Sequence, residues 1–221
     1  MIQLVVFDLD GTLVDSHRDL AEAINALLGE LGASPLPHDV VTRMVGEGAP
    51  VLVKRALTAV GLDPDTPRAL DRFLEHYDAR LLDTTRPYPG MAETLISLHA
   101  RHRLAVLTNK PTRATLRVLE GLALDDAFDD VMCGDMAYGR KPDPAGLREL
   151  VARAGTTADA TLLVGDSPVD HATARRAGTH ICLARYGFGY RFTVEDFRGD
   201  EWFVDRPAAL LDLIRRLDGQ T

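Results

Sequence analysis

The chain has 221 residues, of which 46% are hydrophobic and 26% are charged, and its formal net charge is -8. This length and composition are typical of one sizeable globular domain, or of a core domain that carries a smaller insertion. The acidic balance argues against nucleic acid or an anionic membrane as the main partner, although one local positive site would still bind a small anion.

Apolar runs of strand length alternate with helical patterns along most of the chain. Strands are predicted at Ile2 to Phe7, Arg103 to Thr108, Asp130 to Cys133, Thr161 to Val164, Thr179 to Ala184 and Trp202 to Val204. Helices that begin with proline are predicted at Pro111 to Leu119, Pro144 to Ala154, Pro168 to Ala177 and Pro207 to Leu217. This alternation predicts an α/β fold with a Rossmann-like parallel sheet and right-handed crossovers.

The segment 16–86 breaks this alternation, because it contains no convincing strand. Helical spacing of apolar residues predicts helices at Leu20 to Leu31, Val51 to Val60 and Ala69 to Leu82. Asp15 or Ser16 is expected to cap the first of these helices. We therefore predict a small helical domain at 16–86, inserted into an α/β core of 1–15 and 87–221.

Two aspartates follow the first predicted strand at once, in the stretch LVVFDLDGTLVDS from Leu4 to Ser16. Ligands of open parallel sheets bind at the carboxyl ends of the strands, and strand alternation places Asp8 and Asp10 on the same side. Their charges would repel each other unless a cation lies between them, and such oxygen ligands suit Mg²⁺. Thr12 could hydrogen-bond a carboxylate and fix its rotamer. A plain turn at Asp10-Gly11 is the simpler alternative.

Polar residues also follow the other predicted strands. Thr108 and the backbone N–H groups from Asn109 onward could bind an anion. Later strands are followed by Lys141, Asp166 and Asp170. Each signal alone has an ordinary explanation, since Thr108 or Asp166 could cap a helix and a lysine before proline is usually solvated. Together they supply acids for a metal, and hydroxyl, ammonium and amide groups for phosphate oxygens.

Four motifs in this order, FDLDGTLVDS, LAVLTN, RKPDP and VGDSPVD, resemble the haloacid dehalogenase-like superfamily of phosphotransferases over essentially the whole chain. The resemblance implies a phosphatase with a helical cap, in which Asp8 is the nucleophile and forms an aspartyl-phosphate. Asp10 would protonate the leaving oxygen and then activate water. To carry a proton near a metal, Asp10 must be shielded or hydrogen-bonded, and Thr12 is our candidate for that contact.

The same resemblance implies Mg²⁺ as the cofactor. The implied ligands are the Asp8 side chain, the Asp10 backbone carbonyl, Asp166 and, through water or a hydrogen bond, Asp170. Thr108 and Lys141 would bind the oxygens of the transferring phosphoryl group.

The insertion segment RMVGEGAPVLVKRAL, from Arg43 to Leu57, resembles the phosphoglycolate phosphatase subfamily, as do TNKP, YPGM and GFGY. Gly46 and Gly48 would let the cap backbone approach the substrate, with a plain helix-breaking turn as the alternative. Arg43 could pair with a substrate carboxylate, or it is a solvated surface arginine. Thr12 and Asn109 complete the candidate substrate-binding residues.

The resemblance therefore implies 2-phosphoglycolate as the substrate, although other substrates and reactions remain possible interpretations of the sequence. His17-Arg18 stands where the family often has one residue and then proline, which leaves a sugar-phosphate phosphatase or a β-phosphoglucomutase-like phosphomutase as alternatives. A binding protein without catalysis is disfavoured, because the motif residues are intact.

The remaining features predict where the protein works. Cys133 and Cys182 have no metal-binding spacing and suit buried thiols in a reducing compartment. The N-terminus has no signal-peptide pattern, and no apolar run approaches the roughly 18 residues of a membrane span. We expect a cytoplasmic monomer or homodimer whose partner is a small phosphorylated metabolite, with no nucleic acid and no membrane.

Overall fold

A six-stranded parallel sheet forms the centre of the computed structural model, which describes residues 1–219. In chain order the strands are β1 (Leu4–Phe7), β2 (Val14–Asp15), β3 (Arg86–Pro87), β4 (Arg103–Leu107), β5 (Asp130–Met132), β6 (Thr161–Gly165), β7 (His180–Ala184) and β8 (Trp202–Val204). The large sheet has the order β5-β4-β1-β6-β7-β8. The predicted α/β class with a Rossmann-like parallel sheet is confirmed, and each predicted strand agrees with the structure within two residues.

Strand β1 lies at the middle of the sheet, which explains its uninterrupted apolar sequence. It pairs in parallel with β4 on one side and with β6 on the other, and Phe7 lies opposite both Val106 and Val164. All four residues of β1 are buried, because helices cover both faces of the sheet. This register brings the carboxyl ends of three strands to one edge, where the chain turns into polar loops.

Nine helices surround or extend from this sheet within the described residues. They are α1 (His17–Glu30), α2 (His38–Thr42), α3 (Ala49–Ala59), α4 (Ala69–Ala79), α5 (Met91–His99), α6 (Thr112–Gly121), α7 (Ala145–Arg153), α8 (Pro168–Ala177) and α9 (Ala209–Leu217). Short 3₁₀ turns lie at Asp125–Ala127, Ala158–Ala160 and Val194–Asp196. Helices α1 to α4 all fall between β2 and β3, and α1 contacts each of the other three.

The chain enters and leaves this helical group through a short antiparallel ribbon. Val14 of β2 lies opposite Pro87 of β3. Beside the ribbon, the buried carboxylate of Asp19 accepts hydrogen bonds from the backbone and hydroxyl groups of Thr84 and Thr85, at 2.6 to 3.1 Å. Although burial alone would raise the pKa of Asp19, these hydrogen bonds lower it below its usual value. The first helix of the insertion is thus tied to the returning strand.

Several local predictions were wrong for identifiable reasons. Helices α2 and α5 were not predicted. Helix α5 begins directly after Gly90, which has a left-handed backbone conformation with a φ of 81°. Pro111 has an extended conformation and lies before α6 rather than in its first turn. The side chain of Ser16 does not cap α1, because it donates a hydrogen bond to Asp10 instead.

Both cysteines are unpaired and buried, as expected from their apolar surroundings. Within residues 1–219, no helix combines the length and the apolar character that crossing a membrane requires.

Candidate active site

Three carboxylates converge at the carboxyl edge of the sheet. Asp8 follows β1, Asp166 follows β6, and Asp170 lies in the first turn of α8. One oxygen from each lies within 4.8 Å of the others, and all three residues are buried. Because neighbouring parallel strands end at the same edge, residues 158 positions apart in the chain meet here.

One ammonium group lies against this acidic cluster. The Nζ atom of Lys141 is 2.8 Å from Asp8 Oδ1 and 2.6 Å from Asp170 Oδ1, and its side chain is only 2% exposed. The expectation that a lysine before proline is usually solvated does not apply here. Although burial opposes it, the charges of Asp170 and Asp8 raise the pKa of Lys141 above its usual value, so the group stays charged.

The cluster holds three carboxylates and one ammonium group, and the pKa values of two of the carboxylates reflect this excess of negative charge. Burial, followed by the charge of Asp170, raises the pKa of Asp8 to about 7 against the opposing effect of Lys141. Burial and the charges of Asp170 and Asp8 raise the pKa of Asp166 well above its usual value. Hard oxygen ligands with uncompensated charge are the donor set that suits a divalent cation. The residues therefore fit a metal ion.

Backbone from two loops encloses Asp166. The N–H of Gly189 donates to Asp166 Oδ2 at 2.7 Å. A Cβ atom would lie 2.0 Å from an Asp166 oxygen if placed on Gly11, and 2.3 Å from its Cβ if placed on Gly187. These positions require glycine because the chain approaches the carboxylate too closely for any side chain. Gly187 and Gly189 of the loop 186–192 therefore form part of the wall around Asp166.

Asp10 lies outside the three-carboxylate cluster and has its own partners. Its carboxylate accepts hydrogen bonds from Ser16 Oγ at 2.6 Å and from Lys110 Nζ at 2.9 and 3.2 Å. The predicted contact with Thr12 is wrong, since Thr12 Oγ1 is buried without a hydrogen-bond partner among the described residues. Ser16 and Lys110 hold Asp10 instead. We did not assign Lys110 a role from sequence, although it follows Thr108 and Asn109 directly.

Asn109 organises the loop that carries Lys141. Its Oδ1 accepts from the backbone N–H of Lys141 at 2.8 Å, and its Nδ2 donates to the Lys141 carbonyl at 2.9 Å. The same Nδ2 donates to the Gly46 carbonyl of the helical insertion at 3.0 Å. The Asn109 side-chain amide is thus engaged by protein groups and positions the loop that carries Lys141, while substrate binding by Asn109 stays a prediction.

A small cavity of about 50 Å³ lies between the sheet edge and the helical insertion. The core contributes Asp8, Asp10, Thr108, Asn109, Lys110 and Pro111 to its lining. The insertion contributes Leu20, Val45, Gly46, Gly48, Ala49, Leu52, Phe73, Leu74 and Tyr77. The cavity therefore has a charged wall from the core and a largely apolar wall from the insertion.

The insertion residues predicted to bind substrate fall into two groups. Gly46 and Gly48 line the cavity, with φ values of 129° and 90° that favour glycine. Arg43 lies on the surface, where its Nη2 is 2.8 Å from Asp39 Oδ2 and its side chain is 57% exposed. The structure does not bring Arg43 into the cavity lining, which favours the solvated alternative.

Two contacts that the sequence did not indicate join the insertion to the core. Arg191 donates to the carbonyls of Thr42 and Arg43 just after α2. Tyr77 of α4 contacts the Lys110 ammonium. Neither contact could be predicted from a repeating pattern in the sequence, because each joins residues that are far apart in the chain.

A parallel sheet with a buried acidic cluster at its carboxyl edge, covered by helices inserted between β2 and β3, is the arrangement of an α/β enzyme whose candidate active site lies between two walls. The model of the haloacid dehalogenase-like hydrolases matches residues 5–184. The chain belongs to this family, as its four motifs predicted.

Several relatives are similar over nearly the full length of the chain. A phosphoglycolate phosphatase of Rhodospirillum rubrum is 47% identical over 196 residues, covering 85% of this chain and 81% of the relative. A phosphoglycolate phosphatase of Cereibacter sphaeroides is 45% identical, covering 96% of this chain and 98% of the relative. A crystal structure described as a predicted phosphoglycolate phosphatase from Haemophilus somnus superposes with a TM-score of 0.89 at 31% identity, covering 96% and 98% of the two chains.

Proposed function

We propose that this protein is a Mg²⁺-dependent phosphatase that hydrolyses 2-phosphoglycolate through an aspartyl-phosphate on Asp8. The observation that carries the proposal is the buried set of Asp8, Lys141, Asp166 and Asp170, of which Asp8 lines a small cavity together with Asp10. The similarity to phosphoglycolate phosphatases over 85% and 96% of the chain supports the substrate.

Asp8 is held in an orientation that suits nucleophilic attack. Its Oδ1 accepts from the Leu9 backbone N–H at 2.7 Å and is 2.8 Å from Lys141 Nζ. Among the described residues no hydrogen bond reaches Oδ2, which leaves that oxygen for a ligand. Attack of an Asp8 oxygen on phosphorus forms the aspartyl-phosphate while the bond to the ester oxygen breaks.

Asp10 is the group that moves protons in this mechanism. It donates a proton to the departing ester oxygen, so that glycolate leaves as the alcohol. It then takes a proton from the water that attacks the aspartyl-phosphate, which releases inorganic phosphate and restores Asp8. Ser16 and Lys110 fix the position of its carboxylate for both steps.

The remaining core groups bind charge that develops on the phosphoryl oxygens. Thr108 and Lys141 lie beside Asp8 and bind these oxygens. Mg²⁺ would be held by Asp8, Asp166, Asp170 and the Asp10 backbone carbonyl, and when bound it neutralises phosphoryl charge.

The helical insertion acts as a cap, with the boundaries 16–86 predicted from sequence. Its apolar wall excludes water from the reacting groups. The acidic net charge of -8 and the buried, unpaired thiols support a cytoplasmic protein without nucleic-acid or membrane partners, acting as a monomer or homodimer.

The test is a panel of phosphate esters assayed with and without Mg²⁺, read as ratios of kcat/KM. We expect 2-phosphoglycolate to exceed glucose 1-phosphate and glucose 6-phosphate by at least about 100-fold. A sugar phosphate as the preferred substrate would make the protein a sugar-phosphate phosphatase. Isomer formation without release of inorganic phosphate would make it a phosphomutase.

A further inference from the structure

Lys110 and Tyr77 lie together on the cavity wall, and the chemistry described above leaves part of their hydrogen-bonding capacity unused. Lys110 follows β4 in the core, whereas Tyr77 belongs to α4 of the cap. The Lys110 ammonium donates to the Tyr77 hydroxyl and also lies 4.5 Å from the centroid of its ring. Both residues are buried, at 5% and 3% exposure, and both line the cavity.

The Tyr77 hydroxyl retains a donor for a ligand. An ammonium group has no acceptor, so the Tyr77 oxygen must accept the hydrogen bond from Lys110. Its own O–H hydrogen has no acceptor among the described residues, since Lys110 is the hydrogen-bond partner of this hydroxyl. Burial raises the pKa of Tyr77 to about 12, so the hydroxyl keeps its proton at neutral pH. A buried O–H donor without an acceptor is costly unless a ligand supplies one.

Lys110 is the only cation among the described residues that line the cavity. Arg43, the cap residue predicted to recognise a carboxylate, is on the surface and paired with Asp39. Lys141 is engaged with Asp8 and Asp170 on the phosphoryl side. An anionic group on the leaving end of a substrate would therefore meet Lys110, which also pairs with Asp10, as the one cation among the described residues of the lining.

We propose that the Lys110 ammonium and the Tyr77 hydroxyl form the binding subsite for a carboxylate on the leaving group of the substrate. This inference rests on the proposed function and names the residues that select the leaving group. A carboxylate accepts readily from one charged and one neutral donor that lie within hydrogen-bonding distance of each other.

The position of this subsite matches a short leaving group. Lys110 Nζ is 2.9 Å from Asp10, the group proposed to protonate the ester oxygen. In 2-phosphoglycolate one methylene carbon separates the ester oxygen from the carboxylate, so both ends reach neighbouring groups of the same wall. Because Tyr77 belongs to the cap and Lys110 to the core, the bound carboxylate also bridges the two.

The first experiment replaces Tyr77 with phenylalanine, which keeps the ring that stacks on Phe73 at 5.8 Å between centroids. Steady-state kinetics are measured for 2-phosphoglycolate and for ethyl phosphate, in which a methyl group replaces the carboxylate. We expect Tyr77→Phe to lower the ratio of the two kcat/KM values about tenfold, mainly through a higher KM for 2-phosphoglycolate. Tyr138→Phe removes a hydroxyl that contacts Glu149 outside the cavity, and it should leave the ratio within about twofold.

The second experiment compares Lys110→Met with Lys110→Arg. Both substrates should react more slowly with Lys110→Met, because Asp10 loses a partner, and the ratio should still fall about 100-fold. Lys110→Arg keeps the charge and should restore part of the ratio. Lys54→Met, on an exposed residue of the cap, is the matched control. Far-UV circular dichroism and a thermal melt confirm that each variant is folded.

The outcomes separate this inference from the proposed function. If wild-type protein hydrolyses 2-phosphoglycolate but both Tyr77→Phe and Lys110→Met keep the wild-type ratio within twofold, the subsite is wrong and the phosphatase stands. If wild-type protein releases phosphate from p-nitrophenyl phosphate but does not prefer 2-phosphoglycolate over ethyl phosphate, the proposed substrate and the subsite are both wrong. A lower ratio in both variants supports the subsite.

Discussion

The core and cap walls of the cavity are built from opposite kinds of residue. The core wall consists mainly of buried charged and polar groups, such as Lys110 against Asp10, and Lys141 holds Asp8 of this wall from outside the lining. The cap wall consists mainly of aliphatic and aromatic side chains and two glycines, with the Tyr77 hydroxyl as its polar side-chain group. Under the proposed function, the core supplies the chemistry, whereas the cap supplies shape, exclusion of water and one contact to the leaving group.

Among substitutions in the core wall, removal of the proposed nucleophile should have the largest effect on kcat. Asp8→Asn should lower kcat for 2-phosphoglycolate by about four orders of magnitude, because an amide cannot form the aspartyl-phosphate. The measurement is phosphate release with Mg²⁺ present. The exposed Asp65→Asn is the control and should stay within about twofold. Turnover of Asp8→Asn at the wild-type rate would refute the assignment of the nucleophile.

Removing the Lys141 ammonium, which holds Asp8 from outside the cavity lining, should have the next largest effect. Lys141→Met should lower kcat about 100- to 1,000-fold, because the transferring phosphoryl group loses a fixed positive charge. The effect should appear equally with p-nitrophenyl phosphate, since Lys141 lies on the phosphoryl side of Asp8. A loss confined to 2-phosphoglycolate would instead place Lys141 at the leaving group.

The attachment of the cap depends on a buried carboxylate rather than on apolar packing alone. Asp19→Ala should lower the free energy of unfolding by about 2–3 kcal/mol, because it leaves donors of Thr84 and Thr85 unsatisfied. Urea unfolding measures this at pH 7, and Asp71→Ala, on another cap helix, serves as a control.

The same carboxylate predicts a pH dependence. Its pKa is lowered on folding, so its contribution is complete above its unfolded value of about 4 and is lost as pH falls through the folded value. The stability difference between wild type and Asp19→Ala should therefore shrink as pH falls below about 4. A difference that is constant from pH 7 to pH 3 would contradict this account.

Thr12 offers a smaller test of how the core wall is assembled. Its hydroxyl is buried without a partner among the described residues, so Thr12→Val removes an unsatisfied polar group. The free energy of unfolding should stay the same or rise by up to about 1 kcal/mol, as measured by urea unfolding. If the free energy of unfolding fell by more than about 1 kcal/mol, the Thr12 hydroxyl would make the hydrogen bond to a carboxylate that the sequence predicted.

Substitution of Arg43 should have the smallest effect on activity, and it tests whether the cap wall includes this residue. Its ion pair with Asp39 is exposed and lies outside the cavity lining. Arg43→Met should change the KM for 2-phosphoglycolate by no more than about twofold. An increase of tenfold or more would mean that the cap recognises the substrate carboxylate through Arg43.

The sequence predicted the core far better than the cap, and the reason is physical. A buried central strand requires an unbroken apolar run, and the carboxyl ends of parallel strands meet at one edge. Asp8, Lys141 and Asp166 could therefore be assigned to one place before any contact was known. The α/β fold and the family are confirmed, and the cap boundaries remain a proposal.

Contacts between cap and core could not be predicted in this way. Tyr77 and Lys110 are separated by 33 residues, and Lys110 and Asp10 by 100. In sequence, Tyr77 is one more apolar position of an amphipathic helix, and Ser16 has the appearance of an ordinary helix cap. Only the structure shows that the Tyr77 hydroxyl contacts Lys110 and that the Ser16 hydroxyl donates to Asp10.

The side chain of Asn109 contacts both the cap and the core. One amide nitrogen reaches both the Gly46 carbonyl of the cap and the Lys141 carbonyl of the core, at 3.0 and 2.9 Å. The position of Gly46 in the insertion and the position of the Lys141 backbone are thereby fixed by the same side chain. A substitution at Asn109 would disturb the contact between insertion and core and the loop that carries Lys141 together.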